Sequence, residues 1–408
     1  NVIVMQKKVE LLAPAGDMER LKTAIHFGAD AVYFAGKKYG LRAFSDNFQE
    51  DELKQAVEYA HQHNVKCYIT VNIIAHNKDF DGLVEYLKYL DTIHVDAVIV
   101  SDLGIASLVK KHTNLELHVS TQASITNSYT ANVWASLGAK RLVLARELSL
   151  EEIKEIRKNV PNGITLECFS HGAMCISYSG RCLLSNYFVN RDSNQGACVQ
   201  ACRWEYELSY KDNKGDTYPV KQDERGTYVF NSKDMCLINH LKKLIDAGIS
   251  SFKIEGRMKT PYYVATVVNA YKRALANIYV NKKDDFEYIT ELQKTSHRHF
   301  STGFYFPDEE TEYTLSSKAV QSHQFVAVVK EKLTNNEALI ELRNKIVIGD
   351  ELEILSPTDN WNKVIKVIKL IHKDLGPLEE ANRVQDLYII NDEIGLKVDD
   401  ILRKKIDD

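Results

Sequence analysis

The sequence predicts an α/β protein built on a (β/α)8 TIM-type barrel with a cysteine-rich insertion, followed by a small antiparallel β-barrel. Three observations lead there. Over roughly the first 270 residues, short β-branched apolar runs alternate eight times with amphipathic helical stretches. Those runs are apolar on both faces, as the strands of a buried parallel sheet must be. From Phe325 onward the helical spacing gives way to short strands. A doubly wound open sheet would show the same alternation, but eight repeats favour closure.

The strands follow in order. Glu10–Ala13 reads as the first, with a helix over Asp17–Phe27, and Ala31–Ala35 as the second, with a helix over Glu50–His63. Lys66–Ile73 precedes a helix over Asp81–Ile93, and Ala97–Val100 precedes one over Leu103–His112. Leu115–Ser120 and Arg141–Ala145 are the fifth and sixth strands; after the sixth, Ser149 and Glu152 have the spacing of a capping box. Ile164–Phe169 is the seventh strand. After the insertion come a helix over Leu237–Ala247, the eighth strand at Phe252–Ile254, and a long helix from Pro261 toward Ala276. These spans predict a barrel domain over residues 1–280 with its insertion at about 170–236, an extension over 281–322, and a C-terminal barrel over 323–408. The last takes strands from Phe325–Val329, Glu337–Leu342 and Glu351–Leu355, with Gly349-Asp350 as a turn between two of them.

Composition narrows the function. The 408 residues are 44% hydrophobic and 26% charged with formal net charge −4. That is a globular composition with no general attraction to nucleic acid, so an RNA partner needs a local basic patch. No apolar run reaches the roughly 18 residues of a membrane span. The start, Asn1–Lys8, is too short for a secretory signal, and a cytoplasmic protein is expected. There is no Walker loop, His-Glu-x-x-His or Gly-x-Ser-x-Gly, which removes common nucleotide, zincin and serine-hydrolase chemistries.

Six of the seven cysteines fall between Cys168 and Cys236. Cys67 and Cys168 lie inside predicted strands and read as buried apolar thiols. Cys175, Cys182, Cys198 and Cys202 fall in loops, and Cys236 opens the predicted helix before strand eight. Clustered loop thiols in a chain this large point to metal rather than to disulfides. Four thiolates satisfy either an iron–sulfur cubane or a zinc ion, and residue chemistry alone leaves the two level.

Several segments carry a family resemblance: Glu10–Asp17 with Gly28–Tyr33, Glu167–Cys175 leading to Ser179–Ser185, Gln195–Cys198, Cys202–Tyr206, Ser232–Cys236, Lys253–Arg257 and Ser301–Phe304. Together they resemble the collagenase-like peptidase family of unassigned catalytic type, U32, over nearly the whole chain. Length and the C-terminal domain are most similar to the family's tRNA hydroxylation branch. The resemblance implies 5-hydroxyuridine formation at the tRNA wobble position, prephenate as co-substrate, and a 4Fe-4S cluster. It implies Cys175, Cys182, Cys198 and Cys236 as ligands, with Cys202 in reserve and zinc as the alternative metal. The family label also implies a collagenase-like peptidase, and a metal-stapled scaffold is the non-catalytic reading.

Beside the thiols, strand ends supply Asn72, Asp102, Gln122, Arg146, Glu147, His171, Glu255 and Arg257. A dianion such as prephenate needs guanidinium groups, for which Arg146 and Arg257 are preferred, with Arg42, Arg181 and Lys253 behind them. Glu255 and His171 complete the candidate catalytic set, His171 as a group able to move protons near neutral pH. A thiol nucleophile at Cys175 with His171 is the peptidase version. Arg203-Trp204-Glu205-Tyr206 and His297-Arg298-His299-Phe300 mix cations with aromatic rings in a way that suits RNA. The expected partners are tRNA and prephenate without a membrane, and a homo-oligomer is compatible with the sequence.

Overall fold

β1 (Glu10–Pro14), β2 (Ala31–Phe34), β3 (Lys66–Val71) and β4 (Ala97–Val100) are short and buried over almost their whole length. Such residues gain little from an open edge, and the chain uses them as parallel staves. β5 (Glu116–Val119), β6 (Arg141–Val143) and β7 (Thr165–Ala173) continue the parallel series. β8 (Ser209–Lys211) and β9 (Thr217–Pro219) form a separate hairpin. After β10 (Asp234–Cys236), β11 (Ile249–Ile254) pairs in parallel with both β1 and β7 and closes the ring of eight. The predicted closed barrel is the observed fold, here a computed structural model describing residues 8–40, 47–204, 209–211, 217–219, 233–282, 286–306, 319–333 and 336–406.

The helices are α1 (Met18–His26), α2 (Glu50–Gln62), α3 (Leu83–Thr92), α4 (Leu103–His112), α5 (Ser128–Ser136) and α6 (Leu150–Asn159), each following the strand of the same number. Their starts are chemically marked. Asp102 accepts from the Ile105 N–H, Asn127 from the Thr130 N–H, and Ser149 and Glu152 form the anticipated capping box. α7 (Leu184–Val189) lies in the insertion, and α8 (Leu241–Asp246) precedes β11. α9 (Pro261–Tyr279) opens with Thr260 as cap and proline in its first turn, and α10 (Tyr288–Leu292) follows.

One prediction changes here. Cys236 does not open a helix; it ends β10, which pairs antiparallel with the far end of β7, Cys236 opposite His171 and Asp234 opposite Ala173. β7 runs four residues beyond its predicted end, and β10 satisfies the peptide groups that this overhang exposes. β12 (Phe300–Ser301) extends the same patch in parallel with β10.

The chain forms two compact units: Asn1–Leu21, Asp30–Lys259 and His297–Ala319 in the first, and Lys22–Ala29, Thr260–Ser296 and Val320–Asp408 in the second. Leu12, Ala31, Tyr33, Tyr68, Ala97 and Ile99 form an apolar layer among the barrel strands. At the amino ends of the strands sits a buried polar group. Arg141 donates to Glu10 and Glu167, Tyr68 Oη to Glu10 (2.7 Å), and Ser251 Oγ to Glu167 (2.9 Å).

In the second unit, β13 (His323–Lys332), β14 (Glu337–Leu342), β16 (Glu351–Leu355), β17 (Val364–Lys366), β18 (Leu370–His372), β19 (Gly376–Pro377), β21 (Leu387–Asn391) and β22 (Ile401–Lys405) form one antiparallel sheet. β15 (Ile346–Val347) and β20 (Glu380–Ala381) pair separately. The sheet order runs from β17 to β19 without joining those ends, a half-barrel around Val326, Ile340, Leu352, Ile390 and Leu402. Arg403, fully buried, donates to Glu291 and Glu353 and locks α10 to this sheet.

A cysteine-lined cavity as candidate functional site

Beyond the carboxyl ends of β5, β6, β7 and β11, Gln122, Arg146, Met174, Glu255 and Lys259 wall a cavity of about 360 Å³. The insertion supplies the opposite wall, with Cys175, Cys182, Cys198 and Cys202 all on the lining. The barrel face is the one where this fold gathers functional groups, because the strand-end loops converge there.

Local structure holds each thiol in place. Cys175 follows directly from the β7 overhang. A turn closed by the Arg181 N–H on the Tyr178 carbonyl (3.1 Å) leads to Cys182. Within it Gly180 has φ +77°, and a Cβ there would come within 2.8 Å of Gln122 Oε1, so backbone conformation and space both call for glycine. The Cys182 carbonyl accepts from Ser193 Oγ (2.8 Å) and Asn194 Nδ2 (3.1 Å), and Gln195 Nε2 reaches the Ile74 carbonyl (2.6 Å) after β3. Cys198 Sγ accepts from the Gln200 N–H at 3.4 Å. Burial pushes the Cys202 thiol up; nearby Arg203 opposes this, while Cys175, Cys198 and Cys182 add to it. Cys202 therefore lies within electrostatic reach of the other three sulfurs.

The donor set fits a soft-metal group. A single zinc needs every sulfur at about 2.3 Å from one point. Among the described residues no group of three or more His, Cys, Asp or Glu side chains is placed to hold a metal ion as the structure stands. A cubane asks something else, since each thiolate takes its own iron and the sulfurs stand apart around the cluster. Four thiols lining one cavity are soft donors of the kind either group takes.

Residues 16–315 match the model of Peptidase family U32, and residues 321–403 match that of the Peptidase family U32 C-terminal domain. The chain belongs to peptidase family U32. Among its relatives, "tRNA hydroxylation protein P1" of Bacillus subtilis is 41% identical over 374 residues, covering 90% of this chain and 88% of the relative. "tRNA hydroxylation protein P" of Escherichia coli is 35% identical over 398 residues, covering 87% and 88%. A "Collagenase" of Porphyromonas gingivalis is 32% identical over 399 residues, covering 93% and 94%.

Within this U32 fold the candidate residues divide. Arg146 lines the cavity, donates to the Ala173 carbonyl and Ser179 Oγ (both 3.1 Å), and lies over the Phe169 ring. Glu255 lines it too, its N–H bonded to the His171 carbonyl at 2.9 Å. Arg257 is not on the lining; it is buried and donates to Thr70 Oγ1 at 3.1 Å. His171 is likewise off the lining, packed 5.5 Å from the Phe300 ring. Burial drives its pKa down to about 3, against an opposing pull from Asp234, so the imidazole stays neutral at pH 7 rather than exchanging protons there. Cys236, implied as a ligand by resemblance, is also absent from the lining, whereas the reserve thiol Cys202 is on it.

Asp102 is occupied as the α4 cap, and Asn72 Nδ2 donates to Ser120 Oγ at 3.2 Å. Arg42, Glu205 and Tyr206 lie outside the described residues. Cys67 and Cys168 are buried in strands, their thiols pushed well up by burial. Met174 lies in the quoted Glu167–Cys175 segment, whereas Lys259 is a lining residue that no motif singled out, five residues past the end of β11. Among the described residues no helix is long and apolar enough to cross a membrane.

Proposed function

We propose that this U32 protein hydroxylates tRNA, forming 5-hydroxyuridine at the wobble position with prephenate as required metabolite and a 4Fe-4S cluster at the barrel mouth. The observation carrying the reading is that four thiols and the cations Arg146, Arg203 and Lys259 share one cavity at the functional end of the barrel. The relatives named for tRNA hydroxylation, matched along some nine-tenths of the chain, support the same assignment.

Cys175, Cys182 and Cys198 would hold the cluster, with the fourth place contested by Cys202, which lines the cavity, and Cys236, which the resemblance favours. When bound, a cluster supplies one-electron redox capacity at this position. The remaining roles belong to the chain. Arg146 presents a planar guanidinium fixed by two neutral acceptors, so its charge is left for a carboxylate of the metabolite. Lys259 and Arg203 supply further positive charge, and Glu255 is the lining carboxylate able to accept a hydrogen bond from a hydroxyl. A cavity of about 360 Å³ is of metabolite size.

The peptidase reading finds less support. Cys175 lines the cavity, but His171, the base that reading gives it, is off the lining among the described residues and is buried.

The test is nucleoside mass spectrometry of tRNA from a strain lacking this gene and its paralogues, complemented with wild type, Cys182→Ser or Arg146→Ala. Only wild type should restore 5-hydroxyuridine. Restoration by both variants, or undiminished 5-hydroxyuridine in the parent deletion, contradicts the proposal. Wild-type levels with Arg146→Ala alone would remove the arginine from the anion site.

A further inference from the structure

We propose that the outer face of the insertion is a stacking platform that receives the unpaired bases of an RNA loop beside the cavity. This rests on the tRNA reading above and gives that substrate a place to dock.

Single exposed apolar residues are ordinary on soluble proteins, but four exposed aromatics within one short segment call for an explanation. Tyr187 is 83% exposed, Phe188 51%, Tyr178 47% and Trp204 39%. α7 organises them. The Tyr187 N–H bonds the Leu183 carbonyl, placing these two a turn apart on the exposed side, while Leu184 and Ser185 of the same helix line the cavity. Phe188 meets Trp204 at 5.9 Å between ring centroids. Tyr178 lines the cavity itself, as do Leu184 and Ser185 of the helix that carries Tyr187 and Phe188.

Charge selects the occupant. Locally, residues 174–204 carry Arg181, Arg191 and Arg203 against a single acid, Asp192, while the insertion as a whole, residues 170–236, balances eight cations with eight carboxylates. The Asp192 carboxylate caps the Asn194 N–H and is tied into its own turn. Aromatic faces interleaved with guanidinium groups suit stacked bases and phosphates, and every base offers a π-face. A base unstacked on this rim would stand at the entrance of a cavity lined by the proposed reaction groups.

The test uses the full-length protein and a labelled anticodon stem–loop with uridine at the wobble position, with a fully paired duplex of equal length as control. Wild type should prefer the stem–loop. Tyr187→Ala, Phe188→Ala and Trp204→Ala should each weaken it roughly 5- to 100-fold, the usual range for one stacked base. Trp204→Phe should retain most of the affinity, and Arg181→Ala should reduce the slope of log K against log salt by about 1. Tyr187 is so exposed that its variant keeps the fold, which thermal unfolding verifies. If wild type binds the loop and the folded variants bind it equally, the platform is overturned and the tRNA reading stands. Variants that dissociate an oligomer while RNA affinity holds would assign the face to another copy of the chain, overturning the platform. A wild type without affinity for the stem–loop overturns both.

Discussion

At the amino ends of the barrel strands, Arg141 is held between Glu10 and Glu167, with Tyr68, Ser251 and Lys253 close by. At the carboxyl ends, Arg146 donates to a carbonyl and a hydroxyl, and four thiols face a cavity. The first group keeps its charges paired: burial pushes Glu10 up, but Arg141 outweighs it and holds the carboxyl below its ordinary value. The second leaves positive charge and soft donors directed at open space. The contrast is that a buried charge with its partner in place maintains the barrel, whereas the half-buried Arg146, hydrogen-bonded only to neutral acceptors, is set for something the protein must bind.

The sharpest break should come at the thiols. Cys175→Ser, Cys182→Ser and Cys198→Ser should each abolish iron binding and tRNA hydroxylation, while circular dichroism of the metal-free proteins matches metal-free wild type. Iron content of Cys202→Ser and Cys236→Ser, measured side by side, assigns the fourth ligand to whichever loses it. Arg141→Met should act oppositely, lowering stability by about 3–5 kcal/mol because two buried carboxylates lose their cation; a denaturation midpoint near wild type would refute the pairing. Smaller is Arg146→Ala, for which a roughly 10- to 100-fold rise in KM for the anionic metabolite follows from losing a charged hydrogen bond, with Arg146→Lys intermediate.

The smallest effect concerns pH. Burial lowers Lys253 from 10.5 to about 8 against the pull of Glu167, so between those values the unfolded chain binds the extra proton. Stability gains from this group as pH rises through that window. Denaturant titrations at pH 8 and 10 should show the gain in wild type and less of it in Lys253→Met. Equal slopes would mean the lysine titrates normally.

Much of this was legible from sequence because the deciding interactions are local or periodic. Buried strands such as Ala97–Val100 and the Ser149/Glu152 cap needed only neighbouring residues, and both stand as read. The misreading of Cys236 has a different origin. Its strand exists because residues 171–173 of β7 protrude from the ring, a partner more than 60 positions away in sequence. The same overhang buries His171 and depresses its pKa, which no local pattern reveals. Arg146 and Arg257 look alike as strand-end cations, yet one lines the cavity and the other turns to Thr70, a choice made by packing. The C-terminal strands showed their alternation, while whether the sheet closes depends on edge pairing between β17 and β19.

The measurement bearing most directly on the cysteine ring is iron and acid-labile sulfide analysis of protein purified without oxygen, read with its visible absorption before and after reduction. A cubane on four thiolates should give about four of each per chain, and visible absorption that bleaches on reduction. Stoichiometric zinc with no sulfide, bound by the same cysteines, would contradict it.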